Sequence, residues 1–143
     1  MNRVQTEDFD INAEIGALTK GRSDIGAVVT FSGLVRDVTL TLEHYPGMTE
    51  RELDRIEAEA HARWDLQGTT IIHRVGALAP ADNIVLVIAA SKHRKNAFEA
   101  AEFLMDYLKT HATFWKREGD EWVDANPLDL PPAGRNRLTG WIV

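Results

Sequence analysis

Apolar residues recur at a spacing of three to four in three stretches of the chain, and this is the period of a helix with one buried face. In the first stretch, residues 11–20, Asp10 is suited to cap the N-terminus. The second, residues 50–64, follows a turn and a capping box that begins at Thr49. The third runs over residues 93–109, and its predicted inward residues are Ala97, Phe98, Ala101, Leu104, Met105 and Leu108. We therefore predict three helices.

Four other stretches have the pattern of β-strands. Residues 26–36 and 69–78 are rich in β-branched and apolar side chains between turn formers, and residues 39–45 alternate between polar and apolar side chains. Residues 83–91 are apolar at nearly every position, which is typical of a strand buried on both faces. We predict that this last strand is central in its sheet.

The segments TFWKRE and EWVD are predicted to pair as a tight hairpin, with Gly119 and Asp120 in the turn. Residues 126–143 are rich in Pro and Gly and are expected to form an irregular tail after a single domain over residues 1–125. The order of helices and strands predicts an α+β fold with mainly antiparallel pairing.

Composition narrows the possible functions. The net charge of −6 argues against a nucleic-acid binder, because a phosphate backbone favours a basic face. The longest apolar run, residues 84–90, is too short to cross a bilayer, and the first residues lack the apolar core of a signal peptide, so we expect a cytoplasmic protein that does not bind membranes. The chain has no cysteine, which excludes disulfides, thiolate metal sites and a cysteine nucleophile.

The charge is uneven, because residues 92–117 hold six basic and three acidic side chains. At the junction of the fourth strand and the third helix, His93 and Arg94 are candidates to bind an anion, since cations at a helix N-terminus oppose its dipole. Neighbouring lysines there fit an ordinary solvated helix start. Lys109 and Lys116 also have ordinary interpretations, as a helix-end cation and a hairpin residue.

Arg36 and the histidines are further candidates for binding chemistry. Arg36, after the first strand, is either a surface arginine or a bidentate clamp for phosphate or carboxylate. The histidine spacings match no zinc motif, and the chain has no P-loop, GxGxxG or GxSxG motif, so we expect neither a metal nor a cofactor.

Taken together, several long segments resemble one family, the catalytic (large) subunit of molybdopterin synthase. The matching segments are GAVVTFSGLVR, LTLEHYPGMTE, IIHRVGAL, SKHRKNAFEAAEFLMDYLKTHATFWKRE and EWVDA. The resemblance implies an α/β hammerhead-type fold with a small additional β subdomain. It also implies a central homodimer that becomes a heterotetramer with two small ubiquitin-like sulfur-carrier subunits, each ending in a Gly-Gly thiocarboxylate. The implied reaction converts cyclic pyranopterin monophosphate (precursor Z) into dithiolene molybdopterin.

The resemblance also implies roles for five residues. Lys109 would lie beside the thiocarboxylate as general acid, base or covalent residue, and Lys116 would hold the substrate and assist proton transfer. Arg36, His93 and Arg94 would bind the phosphate and the pterin. Relatives usually have a longer loop after Arg36 than the two residues found here. The alternative function is a non-catalytic module that binds an anion or a partner's tail, and it would need the arginines but not both lysines.

Overall fold

The computed structural model describes residues 1–111, 114–118 and 121–123. Along these residues the elements are β1 (Asn2–Gln5), α1 (Ile11–Thr19), β2 (Ala27–Leu34), β3 (Leu40–His44), α2 (Met48–Arg63), β4 (Gly68–Arg74), β5 (Gly76–Leu78), β6 (Asn83–Ser91), α3 (Arg94–Thr110), β7 (Phe114–Glu118) and β8 (Glu121–Val123). The predicted turn at Gly119 and Asp120 and the predicted tail over 126–143 lie outside the described residues. No described helix is long and apolar enough to cross a bilayer.

The first sheet has the strand order β1-β4-β6-β2. Only β1 and β4 are parallel among its described pairs. Strand β6 is interior and buried along almost its whole length, as its continuous apolar sequence predicts. Helix α1 covers one face through Ile15 and Leu18, which pack on Leu86 and Ile88. The other face carries α2 and α3.

The second sheet has the order β5-β3-β7-β8 and is antiparallel throughout its described pairs. Its inner face joins the main core, where Leu42 and Phe114 pack with Leu104 of α3 and Val85 of β6. The α+β prediction with mainly antiparallel pairing and a small second sheet is therefore confirmed.

Several local predictions need correction. Helix α2 begins at Met48, not at residue 50, because Gly47 is its N-cap and the Glu50 carboxylate accepts a hydrogen bond from the Gly47 N–H at 2.5 Å. Residues 69–78 form two strands in different sheets, since the chain turns at Gly76, where φ is 95°. Phe98 is not inward: it is 60% exposed.

Strand β1 was not predicted. It is four residues long and, among the described strands, pairs only with β4. Its alternating pattern is too short to identify it from the sequence.

The connection between β2 and β3 is short. Val35 is held at the turn before β6, where its N–H donates to the Asp82 carbonyl and its carbonyl accepts from the Ala81 N–H, both at 2.9 Å. Asp37 then adopts φ of 71°, a left-handed conformation that Asp tolerates better than most residues. Arg36 therefore extends from a backbone that is fixed on one side by Val35.

Candidate active site

Helix α3 separates the predicted site residues into two groups. Its N-terminal half packs on the end of β6, because Ala100 and Ala101 contact the cluster around Ala89. Its C-terminal half packs on the beginning of β6, where Leu108 shares a core with Val85. The helix thus runs antiparallel to β6, and the rise of about 1.5 Å per residue places Arg94 about 22 Å from Lys109 along the axis.

Lys109 lies in the last turn of α3 and is half-buried. Asp106, one turn earlier, has a pKa raised by burial and by the neighbouring carboxylate of Glu102, while the Lys109 ammonium acts in the opposite direction. The charge around Lys109 is therefore mixed, in line with the three acidic side chains that residues 92–117 contain.

Lys116 lies in β7 directly opposite Leu42 of β3, while Phe114 lies opposite His44. Residues that face each other across an antiparallel pair point to the same side of the sheet. Lys116 therefore shares the inner face with buried Leu42 and Phe114, and it is half-buried. A lysine in such a position packs its aliphatic stem against apolar residues and extends its ammonium towards water.

Arg36 lies at the same end of the first sheet as Lys109. Strand β2 ends at Leu34 opposite Asn83, the first residue of β6, and this is the end that α3 reaches with its last turns. The Arg36 side chain is 79% exposed, and its Nε is 3.8 Å from the Asp37 carboxylate. Arg36 and Lys109 thus lie at one end of the molecule. Lys116 lies at the same end, because Phe114 in its strand stacks on His73, which lies opposite Val85 near the beginning of β6.

His93 and Arg94 lie at the opposite end, and both are exposed. His93 is the N-cap of α3 and makes no side-chain capping bond. The buried Ser91 hydroxyl donates to the Asp65 carbonyl at 2.8 Å, and its oxygen accepts from the His93 backbone N–H at 3.5 Å. These two contacts hold the strand-to-helix junction. The single chain does not bring the five predicted residues into one pocket.

Two histidines that are not among the predicted site residues lie next to the Lys116 strand. His44 Nε2 is 3.2 Å from the Glu50 carboxylate. His73, in β4, stacks on Phe114 with ring centroids 3.7 Å apart and an interplanar angle of 15°. The alternation of β3 could have placed His44 on the inner face, but nothing in the sequence places His73 beside Phe114. In the described part of the chain, no three His, Asp or Glu side chains converge to hold a metal ion.

Comparison with known proteins identifies the family. The family model described as MoaE protein matches residues 4–111. The chain belongs to the MoaE family. That range includes Arg36, His93, Arg94 and Lys109, and it ends before Lys116.

Two MoaE relatives span nearly the whole chain. The molybdopterin synthase catalytic subunit of Mesorhizobium japonicum is 59% identical over 144 positions, which cover 93% of this chain and 91% of the relative. The subunit of the same name from Escherichia coli K12 is 50% identical over 143 positions, covering 92% of this chain and 95% of the relative. An aligned stretch of 144 positions that covers only part of a 143-residue chain must contain positions without a residue here.

Solved MoaE structures share the fold. The molybdopterin biosynthesis MoaE protein from Burkholderia ambifaria has a TM-score of 0.80 at 53% identity, over 86% of this chain and 88% of that one. Molybdopterin synthase from Staphylococcus aureus has a TM-score of 0.75 at 31% identity, over 85% and 91%. A complex of subunits 1 and 2 of molybdopterin-converting factor from Helicobacter pylori contains a chain with a TM-score of 0.74 at 20% identity, over 91% and 93%, a likeness of fold alone.

Proposed function

We propose that this chain is the catalytic subunit of a molybdopterin synthase that converts precursor Z into dithiolene molybdopterin. The observation that carries this proposal is 59% identity, over nearly the full length of both chains, to a molybdopterin synthase catalytic subunit. The chain itself contains no cysteine, so the two sulfur atoms of the dithiolene come from outside it. The proposed donor is the thiocarboxylate of a small carrier subunit.

The partner has support from the fold comparison. The H. pylori structure is a complex of subunits 1 and 2 of molybdopterin-converting factor. We propose that this chain binds a small ubiquitin-like carrier whose C-terminal tail enters at the end where Lys109, Lys116 and Arg36 lie. A thiocarboxylate is an anion, and three cations from three separate elements would stabilise it there.

The two lysines have different surroundings, and we assign them different roles. Lys109 is beside Asp106, a carboxylate whose raised pKa makes it a better proton acceptor than an ordinary aspartate. Lys109 is therefore proposed to handle protons or bind covalently at the thiocarboxylate. Lys116, whose stem lies on the core side of its sheet, is proposed to hold the pterin and to assist proton transfer.

His93 and Arg94 require a second copy of the chain. A pterin phosphate is much shorter than the separation of about 22 Å between Arg94 and Lys109 along α3. If all five residues contact one substrate, His93 and Arg94 must come from the partner subunit of a homodimer. Exposed His93 and Arg94 at an uncapped helix N-terminus suit the phosphate, since backbone N–H groups and the helix dipole favour an anion there.

The alternative, a non-catalytic module that binds an anion or a carrier tail, is less well supported. It accounts for exposed arginines but gives no reason for the half-buried Lys116. The relatives at 50% identity or more are also named as catalytic subunits.

The test is to mix the chain with a thiocarboxylated carrier and precursor Z and to measure molybdopterin. The native chain should form product, and Lys109→Ala should reduce the rate by at least about a hundredfold, the low end of the range for losing a catalytic acid or base. Lys20→Ala is the matched control, because Lys20 is an exposed lysine at the end of α1, a helix on the other face of the first sheet. Stable carrier binding without product from the native chain would favour the binding module.

A further inference from the structure

The strand that carries Lys116 meets the core of the molecule through Phe114. Phe114 begins β7, two positions before Lys116 on the same face, and it is 1% exposed. It is the point at which the strand carrying Lys116 is held against the first sheet. Whatever fixes the Phe114 ring therefore also fixes the position and direction of Lys116.

The aromatic ring that stacks on Phe114 is that of His73. The His73 ring belongs to β4 of the first sheet, is 3% exposed, and lies nearly parallel to the Phe114 ring at a centroid distance of 3.7 Å. Two buried rings in face-to-face contact remove apolar area from water and make many close atomic contacts, and this contact restricts sliding of one ring over the other.

The His73 ring is itself oriented by the backbone. Its Nδ1 is 2.9 Å from the Arg74 carbonyl. A carbonyl only accepts hydrogen bonds, so Nδ1 carries the proton and donates, and the ring cannot flip without losing this bond. Burial lowers the pKa of His73 to about 4, so the ring that meets Phe114 is neutral near pH 7.

We propose that His73 is a positioning residue for Lys116: its ring, stacked on Phe114, holds strand β7 so that the Lys116 ammonium reaches the substrate. This inference rests on the proposed function for the role of Lys116, but the placement of Lys116 itself does not. His73 does not touch the substrate in this proposal and acts only through Phe114.

Three variants separate this role from ordinary core packing. His73→Phe keeps a ring for the stack and loses the hydrogen bond. His73→Asn keeps a donor near the position of Nδ1 and loses the ring. Ile71→Ala is the matched control, since Ile71 is a fully buried neighbour in β4 on the same face and belongs to the same core.

The measurements are the thermal unfolding midpoint, the Kd for the carrier, and kcat and KM for precursor Z, with each variant assayed together with the thiocarboxylated carrier. We expect His73→Asn to lower kcat at least about tenfold with carrier affinity unchanged within about twofold. His73→Phe should restore kcat to within about threefold of the native value. Ile71→Ala should lower the unfolding midpoint and leave kcat within about twofold of the native value.

Two outcomes would overturn the proposal. One is an equal kcat for His73→Asn and Ile71→Ala, and the other is a kcat for His73→Phe no higher than that for His73→Asn.

A readout without turnover separates this proposal from the proposed function. Lysines carrying ¹³C-methyl groups give resolved NMR signals, and Lys116→Arg identifies the signal of Lys116. In His73→Asn this signal should shift or broaden, and in Ile71→Ala it should not. A shifted signal in His73→Asn, with no molybdopterin from the native chain, would support the positioning role and reject the proposed reaction. An unmoved signal would reject the positioning role, whatever the activity.

Discussion

Lys116 lies directly opposite Leu42 in the antiparallel pair of β7 and β3, and Leu42 is 1% exposed. A lysine over a buried leucine has its stem restricted by packing, so its ammonium samples fewer positions than on an open surface. Such restriction is useful for a group that must meet a substrate in one geometry, because little entropy remains to be lost on binding.

Leu42→Ala should therefore affect both stability and turnover. Removing a buried leucine side chain lowers the free energy of unfolding by about 2–5 kcal/mol, and the cavity left behind would free the Lys116 stem. We expect kcat to fall about tenfold. The measurements are urea unfolding and molybdopterin formation. Leu86→Ala, a buried leucine under α1, should cost similar stability with kcat unchanged; an equal loss of kcat in both variants would contradict the role given to Leu42.

The regular elements could be predicted because their sequences carry strong local patterns. Helix α3 (Arg94–Thr110) and strand β6 (Asn83–Ser91) agree with prediction to within a residue. The single predicted strand over 69–78 was wrong because its apolar pattern continues through Gly76, whose positive φ sends the chain into another sheet. Periodicity alone does not reveal such a turn. Phe98 was predicted to be inward because it fits the helical spacing of the apolar residues, yet it is 60% exposed on the outer side of α3.

The site was less predictable than the fold, for a physical reason. The resemblance named Lys109, His93 and Arg94 as site residues, but only the antiparallel course of α3 against β6 shows that Lys109 lies at one end of the molecule and His93 with Arg94 at the other. The stack of His73 on Phe114 joins residues 41 positions apart in different sheets, and no local pattern encodes such a contact. The five site residues themselves remain predictions that mutagenesis must test.

Two glycine substitutions should have opposite effects on stability. A Cβ at Gly26 would overlap the Lys92 carbonyl oxygen, so Gly26→Ala must displace backbone and should cost about 1–3 kcal/mol. Gly16 is inside α1 with nothing within 4 Å of an added Cβ, so Gly16→Ala should stabilise the chain by about 0.5–1 kcal/mol. Urea unfolding of both variants tests this. Since Lys92 precedes His93, Gly26→Ala should also raise KM for precursor Z, and Gly16→Ala should not.

His73 should make the stability depend on pH. The unfolded chain binds a proton at this residue below about pH 6.5, whereas the folded chain does so only below a pKa of about 4. The contribution of neutral His73 is therefore fully present above pH 6.5 and is lost as the pH falls towards 4, a change of about 3 kcal/mol. His73→Phe cannot bind this proton, so its unfolding free energy should fall less than that of the native chain between about pH 7 and about pH 4.5. Parallel pH profiles for the two proteins would show that the pKa of His73 is not lowered by folding.

Subunit mixing tests whether the active pocket spans two copies of the chain. In a homodimer of this kind, Lys109→Ala and Arg94→Ala would each inactivate both pockets. A mixed dimer of the two variants would keep one pocket with Lys109 from one subunit and Arg94 from the other. After complete exchange half of the dimers are mixed and each has one intact pocket, so activity should recover to about a quarter of the native value.

The control mixes Lys109→Ala with the double variant Lys109→Ala, Arg94→Ala, which leaves no Lys109 and should stay inactive. If Arg94 and Lys109 instead act in the same chain, or if Arg94 has no role, the first mixture will show no recovery beyond the sum of its separate components. That result would contradict the proposal that His93 and Arg94 enter the pocket of a partner subunit.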